Sequence, residues 1–187
     1  RGRLVGNALE AVEVIYRQFP KAEGGLHFGS RLAFAPDGSL FVTQGDRYLH
    51  KDDAQRLDND FGKTVRINPN GSIPLDNPFV RTAGARPEIW SYGHRNMQGA
   101  AIHPLTGALW THEHGAMGGD EINLDQAGRN YGWPVITYGM NYDGTAMTDI
   151  VVAEALSHVQ SGSYDAVVEQ LESGRAGTDD HFCDCRT

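Results

Sequence analysis

The sequence predicts an all-β fold, because features typical of short antiparallel strands recur along it. Glycine accounts for 23 of 187 residues, roughly 12% against a usual ~7%, as expected of a chain rich in tight turns. Two hairpin-like segments occur in it, and each is followed by a further strand and turn. A hydrophobic fraction of 40% is sufficient to build a packed core.

The first hairpin is predicted over residues 31–43. Its turn, Pro36-Asp37-Gly38, has a physical basis, because proline fixes φ and glycine accepts positive φ. The second hairpin joins residues 99–104 to residues 108–111 and lies 68 residues later, counted from Pro36 to Pro104. The chain therefore repeats one structural unit.

Further strands are predicted over residues 63–68 and 120–124, one after each hairpin. This order of strands and turns is typical of a β-propeller blade, a small sheet that packs only on its neighbours. We therefore expect a partial β-propeller of about three blades, with residues 47–62 as a long loop on one face. A β-sandwich built from the same strands is the alternative.

The C-terminal part of the chain has a different pattern. Apolar residues at 151–156 and 164–171 are spaced as in helices, and the chain after Gly174 is polar. The predicted organisation is thus a propeller domain over residues 1–147, followed by a helical or disordered tail of unknown role over residues 148–187.

The composition excludes several classes of function. A net charge of -8 argues against a duplex nucleic-acid binder, which needs a basic face. No apolar run approaches the ~18 residues of a membrane span. The chain begins Arg1-Gly2-Arg3 without a following apolar stretch, so no signal peptide is predicted. Cys183 and Cys185 lie together near the end, which predicts no disulfide framework through the body.

Two polar segments carry candidate catalytic and binding residues. His27 lies among glycines just before a predicted strand, and an imidazole can take a proton from a hydroxyl group. Arg95 and Asn96 lie in a glycine-bracketed loop, and their donors suit a planar anion with several acceptors. The alternatives are an ordinary loop histidine and a polar loop with an Asx turn.

A third segment, residues 112–121, offers metal ligands. His112 and His114 suggest zinc, but they are two residues apart at a strand end and no HExxH helix is present. The glycine-rich backbone that follows is better suited to supply carbonyl oxygens to Ca²⁺. In a fourth segment, residues 128–134, packing of Tyr131 and Trp133 at a blade edge is as plausible as a functional role.

Taken in order, these segments resemble the pyrroloquinoline quinone (PQQ)-dependent aldose sugar dehydrogenases, the glucose/sorbosone dehydrogenase family. The resemblance covers roughly residues 1–145 and rests most on GHRNMQG at 93–99, GGDEINL at 118–124 and GRNYGWP at 128–134. It implies a six-bladed β-propeller that holds PQQ and Ca²⁺ over its axis and oxidises aldoses to lactones.

The resemblance also implies roles for individual residues. His27 matches the base that takes the proton of the anomeric hydroxyl, and Asp46 matches an aspartate near the sugar pocket. The remaining matches are to cofactor-contacting residues (Arg95, Asn96, His114 and Asp120), to carbonyls that hold the cofactor calcium (Gly115 and Ala116) and to structural calcium positions (Glu121 and Tyr131).

The sequence departs from the family in three respects. Family chains are nearly twice as long, and their later blades supply Lys and Arg groups to PQQ that nothing here matches. The acid that precedes the catalytic histidine in some members is Leu26 here. The tail from about residue 148 does not resemble the family.

The sequence thus favours a PQQ- and calcium-dependent aldose dehydrogenase that uses an external electron acceptor. The alternatives are an incomplete propeller that binds carbohydrate or a partner, and a zinc hydrolase using His112 and His114. The resemblance implies a periplasmic or secreted location. It leaves the oligomeric state open between a monomer and a homodimer.

Overall fold

A computed structural model describes residues 1–147 and consists of short antiparallel strands. The predicted tail, residues 148–187, lies outside the described residues. The strands in chain order are β1 (Arg3–Val5), β2 (Ala8–Glu10), β3 (Gly29–Phe34), β4 (Leu40–Gln44), β5 (Lys63–Ile67), β6 (Ile89–Tyr92), β7 (Met97–Ile102), β8 (Leu109–Glu113) and β9 (Glu121–Asp125).

The strands form two blade-like sheets and one small hairpin. β3-β4-β5-β6 make a four-stranded sheet, β7-β8-β9 make a three-stranded sheet, and β1 pairs with β2. Both predicted hairpins are present, since β3 pairs with β4 and β7 with β8 in antiparallel register. Strands β1, β2 and β6 are additions that the sequence analysis did not identify.

The alternation of side chains along β4 explains how the first sheet is packed. Leu40 and Val42 point to one face, where they join Val65 and Ile67 of β5 in a core cluster. Phe41 points to the other face and packs with Leu109 of the second sheet. The seam between the two sheets is therefore hydrophobic, as expected between propeller blades.

The outer faces of the two sheets carry exposed apolar side chains. Leu32 and Phe34 are exposed on β3, and Trp110 and Ile122 are exposed on the second sheet. Because a propeller blade buries its faces against its neighbours, neighbouring blades of a closed ring would pack against these faces.

Residues 47–62 differ from the long surface loop that the sequence predicts. The segment contains a 3-10 helix at Lys51–Gln55, and Ala54, Asp60 and Phe61 are buried. Burial is possible because Lys63 Nζ donates to the carbonyl oxygens of Asp53, Ala54 and Phe61 at 2.5–3.1 Å. No helix among the described residues is long and apolar enough to cross a membrane.

Candidate active site

His27 lies in the loop before β3, and the buried Arg47 holds this loop in place. The Arg47 guanidinium donates to the carbonyl oxygens of Leu26 at 3.1 Å and Gly24 at 2.6 Å, and it lies over the Phe28 ring at 3.9 Å. His27 itself has a φ of 51°, a left-handed conformation that non-glycine residues seldom adopt. The surrounding contacts therefore hold the imidazole in an unusual position.

Two glycines allow the His27 loop to approach the end of β4 closely. A Cβ atom on Gly45 would lie 2.1 Å from the carbonyl oxygen of His27. Gly29 has a φ of +65°, and a Cβ there would lie 2.6 Å from the amide nitrogen of Gly45. Larger residues at either position would push the His27 loop away from the sheet.

The carboxylate of Asp46 orients the His27 imidazole. Its Oδ1 lies 2.6 Å from His27 Nδ1 and accepts the backbone N–H of Tyr48 at 2.8 Å, while its Oδ2 accepts the Trp133 indole N–H at 2.7 Å. A carboxylate can only accept hydrogen bonds, so the contact with Asp46 Oδ1 favours the imidazole tautomer with the proton on Nδ1. The other ring nitrogen, Nε2, is then left with a lone pair.

Asp46 lies beside His27 and is almost fully buried at the cavity wall. Its side chain is 1% exposed, and both of its oxygens are engaged by protein donors. It takes the orienting role that the sequence analysis found missing at Leu26. The sequence spacing does not predict the hydrogen bond between Asp46 and Trp133, because the two residues are 87 positions apart.

Arg95 lies in the loop that joins the two sheets, and its carbonyl oxygen accepts the backbone N–H of Asp46 at 2.8 Å. Its guanidinium donates to the carbonyl oxygen of His114 at 3.0 Å and lies 5.2 Å from the centre of the Trp133 ring. Its backbone N–H donates to Glu113 Oε2 at 2.5 Å. Arg95 Nε is buried and has no acceptor among the described residues. The side chain therefore retains a capacity to bind an anion.

A buried polar network supports Arg95, and the sequence analysis missed it. His94 Nδ1 lies 2.9 Å from Glu113 Oε1, its Nε2 lies 2.9 Å from Ser91 Oγ, and its ring stacks on Tyr131 at 4.5 Å. Burial alone would lower the pKa of His94, but the adjacent Glu113 carboxylate, together with Asp125 and Glu121, outweighs burial and raises that pKa. The His94–Glu113 pair thus fixes the carboxylate that holds the Arg95 backbone.

A cavity of about 300 Å³ brings four of the predicted site residues together. His27, Asp46, Arg95 and Ala116 line it, and such a volume is within the range of small-molecule pockets. Residues that the sequence analysis did not predict complete the wall: Tyr48, Leu49, Lys51, Asp52, Trp133, Asn141, Tyr142 and Met147.

Three predicted cofactor residues lie outside the lining of this cavity. Asn96 accepts a hydrogen bond from the Gln98 amide at 2.8 Å. His114 and Asp120 are exposed, and His114 Nδ1 lies 3.4 Å from Asp120 Oδ2. Asp120 Oδ1 also accepts the N–H of Gly115 at 2.8 Å. The contacts of His114 and Asp120 close the loop that follows β8.

The residues that the sequence analysis assigned to calcium belong to two sets, Gly115 and Ala116 for the cofactor calcium and Glu121 and Tyr131 for a structural calcium. Ala116 borders the cavity, whereas the Tyr131 hydroxyl donates to the carbonyl oxygen of Leu124 at 2.5 Å. Burial, together with nearby Glu113, raises the pKa of Glu121 to about 8. In residues 1–147 no group of three or more His, Cys, Asp or Glu side chains is arranged to hold a metal, so the zinc hypothesis for His112 and His114 gains no support.

Comparison with known proteins identifies the fold and the family. The profile of the glucose/sorbosone dehydrogenase family matches residues 1–167, so the chain belongs to this family. The match extends past the predicted boundary at residue 147 into the segment predicted as a tail. The all-β, partial-propeller prediction is confirmed, because the structural relatives of the chain are sugar dehydrogenases of this architecture.

Three relatives illustrate the similarity. An aldose sugar dehydrogenase of Escherichia coli is 53% identical over 130 residues, which are 70% of this chain and 35% of the relative. A glucose dehydrogenase crystal structure is 50% identical with a TM-score of 0.76, over 79% of this chain and 44% of the other. A PQQ-bound aldose sugar dehydrogenase of Streptomyces coelicolor is 33% identical with a TM-score of 0.62, over 77% and 40% respectively. The chain therefore spans less than half the length of these relatives.

Proposed function

We propose that this chain supplies the catalytic base and one wall of the cofactor site of a PQQ- and Ca²⁺-dependent aldose dehydrogenase. The observation that carries the proposal is the hydrogen-bonded His27–Asp46 pair, which lines the same cavity as Arg95. Sequence similarity to an aldose sugar dehydrogenase and to a PQQ-bound relative supports it.

The residues on the cavity wall fit an anionic quinone. PQQ carries three carboxylates, and Arg95 has a buried donor without an acceptor among the described residues. Arg95 also has no carboxylate within ion-pair distance of its guanidinium in that part of the chain. The carbonyl oxygens of the Gly115–Ala116 loop are hard donors of the kind that Ca²⁺ prefers. We propose Gly115 and Ala116 as its ligands.

In the proposed reaction, His27 Nε2 accepts the proton of the anomeric hydroxyl of the sugar. The Asp46 carboxylate, which holds Nδ1–H at 2.6 Å, stabilises the imidazolium that forms. When bound, PQQ supplies the hydride acceptor and Ca²⁺ polarises it, so that the sugar loses a hydride and becomes a lactone. Tyr48 and Trp133 keep Asp46 in its acceptor geometry.

Several further assignments belong to the same proposal. Asn96, His114 and Asp120 would contact the cofactor from the loops beside Arg95, and Glu121 and Tyr131 would hold a structural calcium. The electrons would pass to an external acceptor, and the location would be periplasmic or secreted. Association into a homodimer is also part of the proposal.

The second candidate function is a carbohydrate- or partner-binding module. It is favoured by one observation, that three of the predicted cofactor residues, Asn96, His114 and Asp120, do not line the cavity. The two functions differ in whether the protein binds PQQ, which an absorbance titration with PQQ and Ca²⁺ measures directly. Absence of PQQ binding by the unaltered chain would contradict the enzyme assignment and leave the binding module.

The test of the base compares His27→Gln with His103→Gln. His103 lies beyond β7 in the turn of the second hairpin, where its Nδ1 accepts two backbone N–H groups. We expect His27→Gln to lower kcat by about 10²–10⁴-fold while the Kd for PQQ changes less than about threefold. His103→Gln should behave as the unaltered protein. Full turnover by His27→Gln would show that His27 is not the base.

A further inference from the structure

Trp133 is fixed at the centre of the candidate active site by its backbone. Its side chain is 7% exposed. Its N–H donates to the carbonyl oxygen of Gly93 at 2.9 Å, and its own carbonyl oxygen accepts the Gln55 side-chain amide at 2.6 Å. Both anchors lie far from Trp133 in sequence. The indole is therefore held by the loop before β7 and by the 3-10 helix.

The indole contacts both the residue that orients the proposed base and the arginine proposed to bind the anion. Its Nε1–H donates to Asp46 Oδ2 at 2.7 Å, on the side of the base. Its ring lies 5.2 Å from the guanidinium carbon of Arg95, within the distance of a cation–π contact. The indole thus contacts both Asp46 and the Arg95 side chain, whose backbones are also joined by the Asp46 N–H donating to the Arg95 carbonyl oxygen at 2.8 Å.

We infer that Trp133 is a positioning residue that aligns the catalytic base with the anion-binding arginine. The inference rests on the proposed function, because it assigns Trp133 to the same reaction. Trp133 acts through Asp46 by satisfying the second carboxylate oxygen, which prevents the carboxylate from rotating away from His27. It acts on Arg95 by offering a flat surface that keeps the guanidinium against the cavity wall.

Two substitutions separate these two actions. Trp133→Phe removes the indole N–H and keeps an aromatic face for Arg95. We expect it to lower kcat by about 10–100-fold and to leave the KM for the sugar and the Kd for PQQ within about threefold. Trp133→Leu also removes the aromatic face, so the Kd for PQQ should rise by a further ~2–10-fold.

Trp90 provides a matched control at the other end of the same seam. Its ring lies 5.3 Å from the guanidinium carbon of Arg66, and its Nε1 lies 3.4 Å from the carbonyl oxygen of Asp125. Trp90→Phe therefore makes the same chemical change in a similar environment outside the cavity. It should leave kcat within about twofold. An equal fall in kcat for both variants would overturn the inference, because the loss would then reflect general destabilisation.

A double-mutant cycle tests whether Trp133 acts through Asp46. In Asp46→Asn protein the orienting carboxylate is already lost, so adding Trp133→Phe should lower kcat by less than about twofold. Independent, multiplicative effects of the two substitutions would contradict the proposed route. Unaltered kcat in Trp133→Phe would contradict the inference altogether.

NMR of the protein without cofactor provides a readout that does not depend on catalysis. Trp133→Phe should shift the ring ¹⁵N resonances of His27, whereas Trp90→Phe should not. In the unaltered protein, the buried Trp133 indole proton should exchange with solvent more slowly than that of Trp110, which is 38% exposed. This second measurement remains valid if a variant does not fold. Unshifted His27 resonances or rapid Trp133 exchange would overturn the inference. Failure to bind PQQ, with both NMR results as expected, would instead contradict the proposed function alone.

Discussion

The two ends of the seam between the sheets contain similar residues but differ in how charge is balanced. At each end an arginine lies over a tryptophan, Arg95 over Trp133 at 5.2 Å and Arg66 over Trp90 at 5.3 Å. The ends are opposite because His27 adjoins the Gly29 end of β3, whereas the groove containing Arg66 adjoins its Phe34 end.

At the end that contains Arg66, called the far end below, carboxylates balance the charge of the arginine. The Arg66 guanidinium nitrogen Nη2 lies 2.5 Å from Asp37 Oδ2, and its Nη1 lies 3.0 Å from Asp76 Oδ2. Both carboxylates are solvent-exposed. Each pair therefore contributes little to stability, and the site has no net positive charge with which to attract an anion.

At the other end, called the cavity end because it adjoins the candidate active site, the cationic side chains donate to backbone carbonyl oxygens instead. Arg47, Lys63 and Arg95 donate to carbonyl oxygens, and within residues 1–147 none of them forms an ion pair with a carboxylate. Carbonyl oxygens satisfy the donors without cancelling the charge. Arg95, the one of these three residues that lines the cavity, thus keeps its positive charge available for an anionic ligand, whereas Arg66 does not.

Among the substitutions that test the contrast between the two ends, replacement of Lys63 should lower the stability of the protein most. Lys63→Met leaves the carbonyl oxygens of Asp53, Ala54 and Phe61 buried without their donor. We expect the free energy of unfolding to fall by about 2–4 kcal/mol, measured by urea denaturation.

Lys51→Met is the control for Lys63, because Lys51 is exposed on the same 3-10 helix. It should change the free energy of unfolding by less than about 0.5 kcal/mol. Equal stability of Lys63→Met and the unaltered protein would mean that the carbonyl contacts do not hold residues 47–62 in place.

The sequence predicted those parts of the fold that depend on local patterns. The two hairpins follow from turns such as Pro36-Asp37-Gly38, whose conformation is decided within four residues. Strand β6 was missed because it is a short strand at the edge of its sheet, where it pairs with β5 and bridges to the distant Asn130. The burial of residues in 47–62 was missed because a polar segment reads as a surface loop, whereas the buried Lys63 amine donates to its backbone carbonyl oxygens.

The candidate site was predicted in part for the same reason. His27 and Arg95 were found because their glycine-rich loops are visible in the sequence, and both line the cavity. The roles of Asp46 and Trp133 were not, because their hydrogen bond joins residues 87 positions apart. A hydrogen bond between buried residues that are far apart in the chain produces no periodic pattern in the sequence.

The smallest expected effect on stability comes from Asp37, at the far end. Hydrogen bonds from the Ser39 hydroxyl and backbone N–H, aided by Arg66, lower the pKa of Asp37 from 3.8 to about 2. Because the folded-state pKa lies below the unfolded one, this stabilisation is present above about pH 4 and is lost as the pH falls through about 2.

Asp37→Asn should therefore lower stability by less than about 1 kcal/mol at pH 6, since the pair is exposed. The difference from the unaltered protein should shrink as the pH falls from 5 to 2, which thermal melts across that range measure. A difference that grows with acidity would contradict the assigned balance of charge at the far end.

The central claim, that the cavity end binds PQQ and the far end does not, is tested by comparing Arg95→Ala with Arg66→Ala. Arg66 lies outside the cavity, and its carboxylate partners Asp37 and Asp76 are exposed. The Kd for PQQ is measured by absorbance titration at saturating Ca²⁺. We expect Arg95→Ala to weaken binding by roughly 10–150-fold and Arg66→Ala to change it less than about threefold. Unchanged affinity in Arg95→Ala, or equal weakening in both variants, would contradict the account.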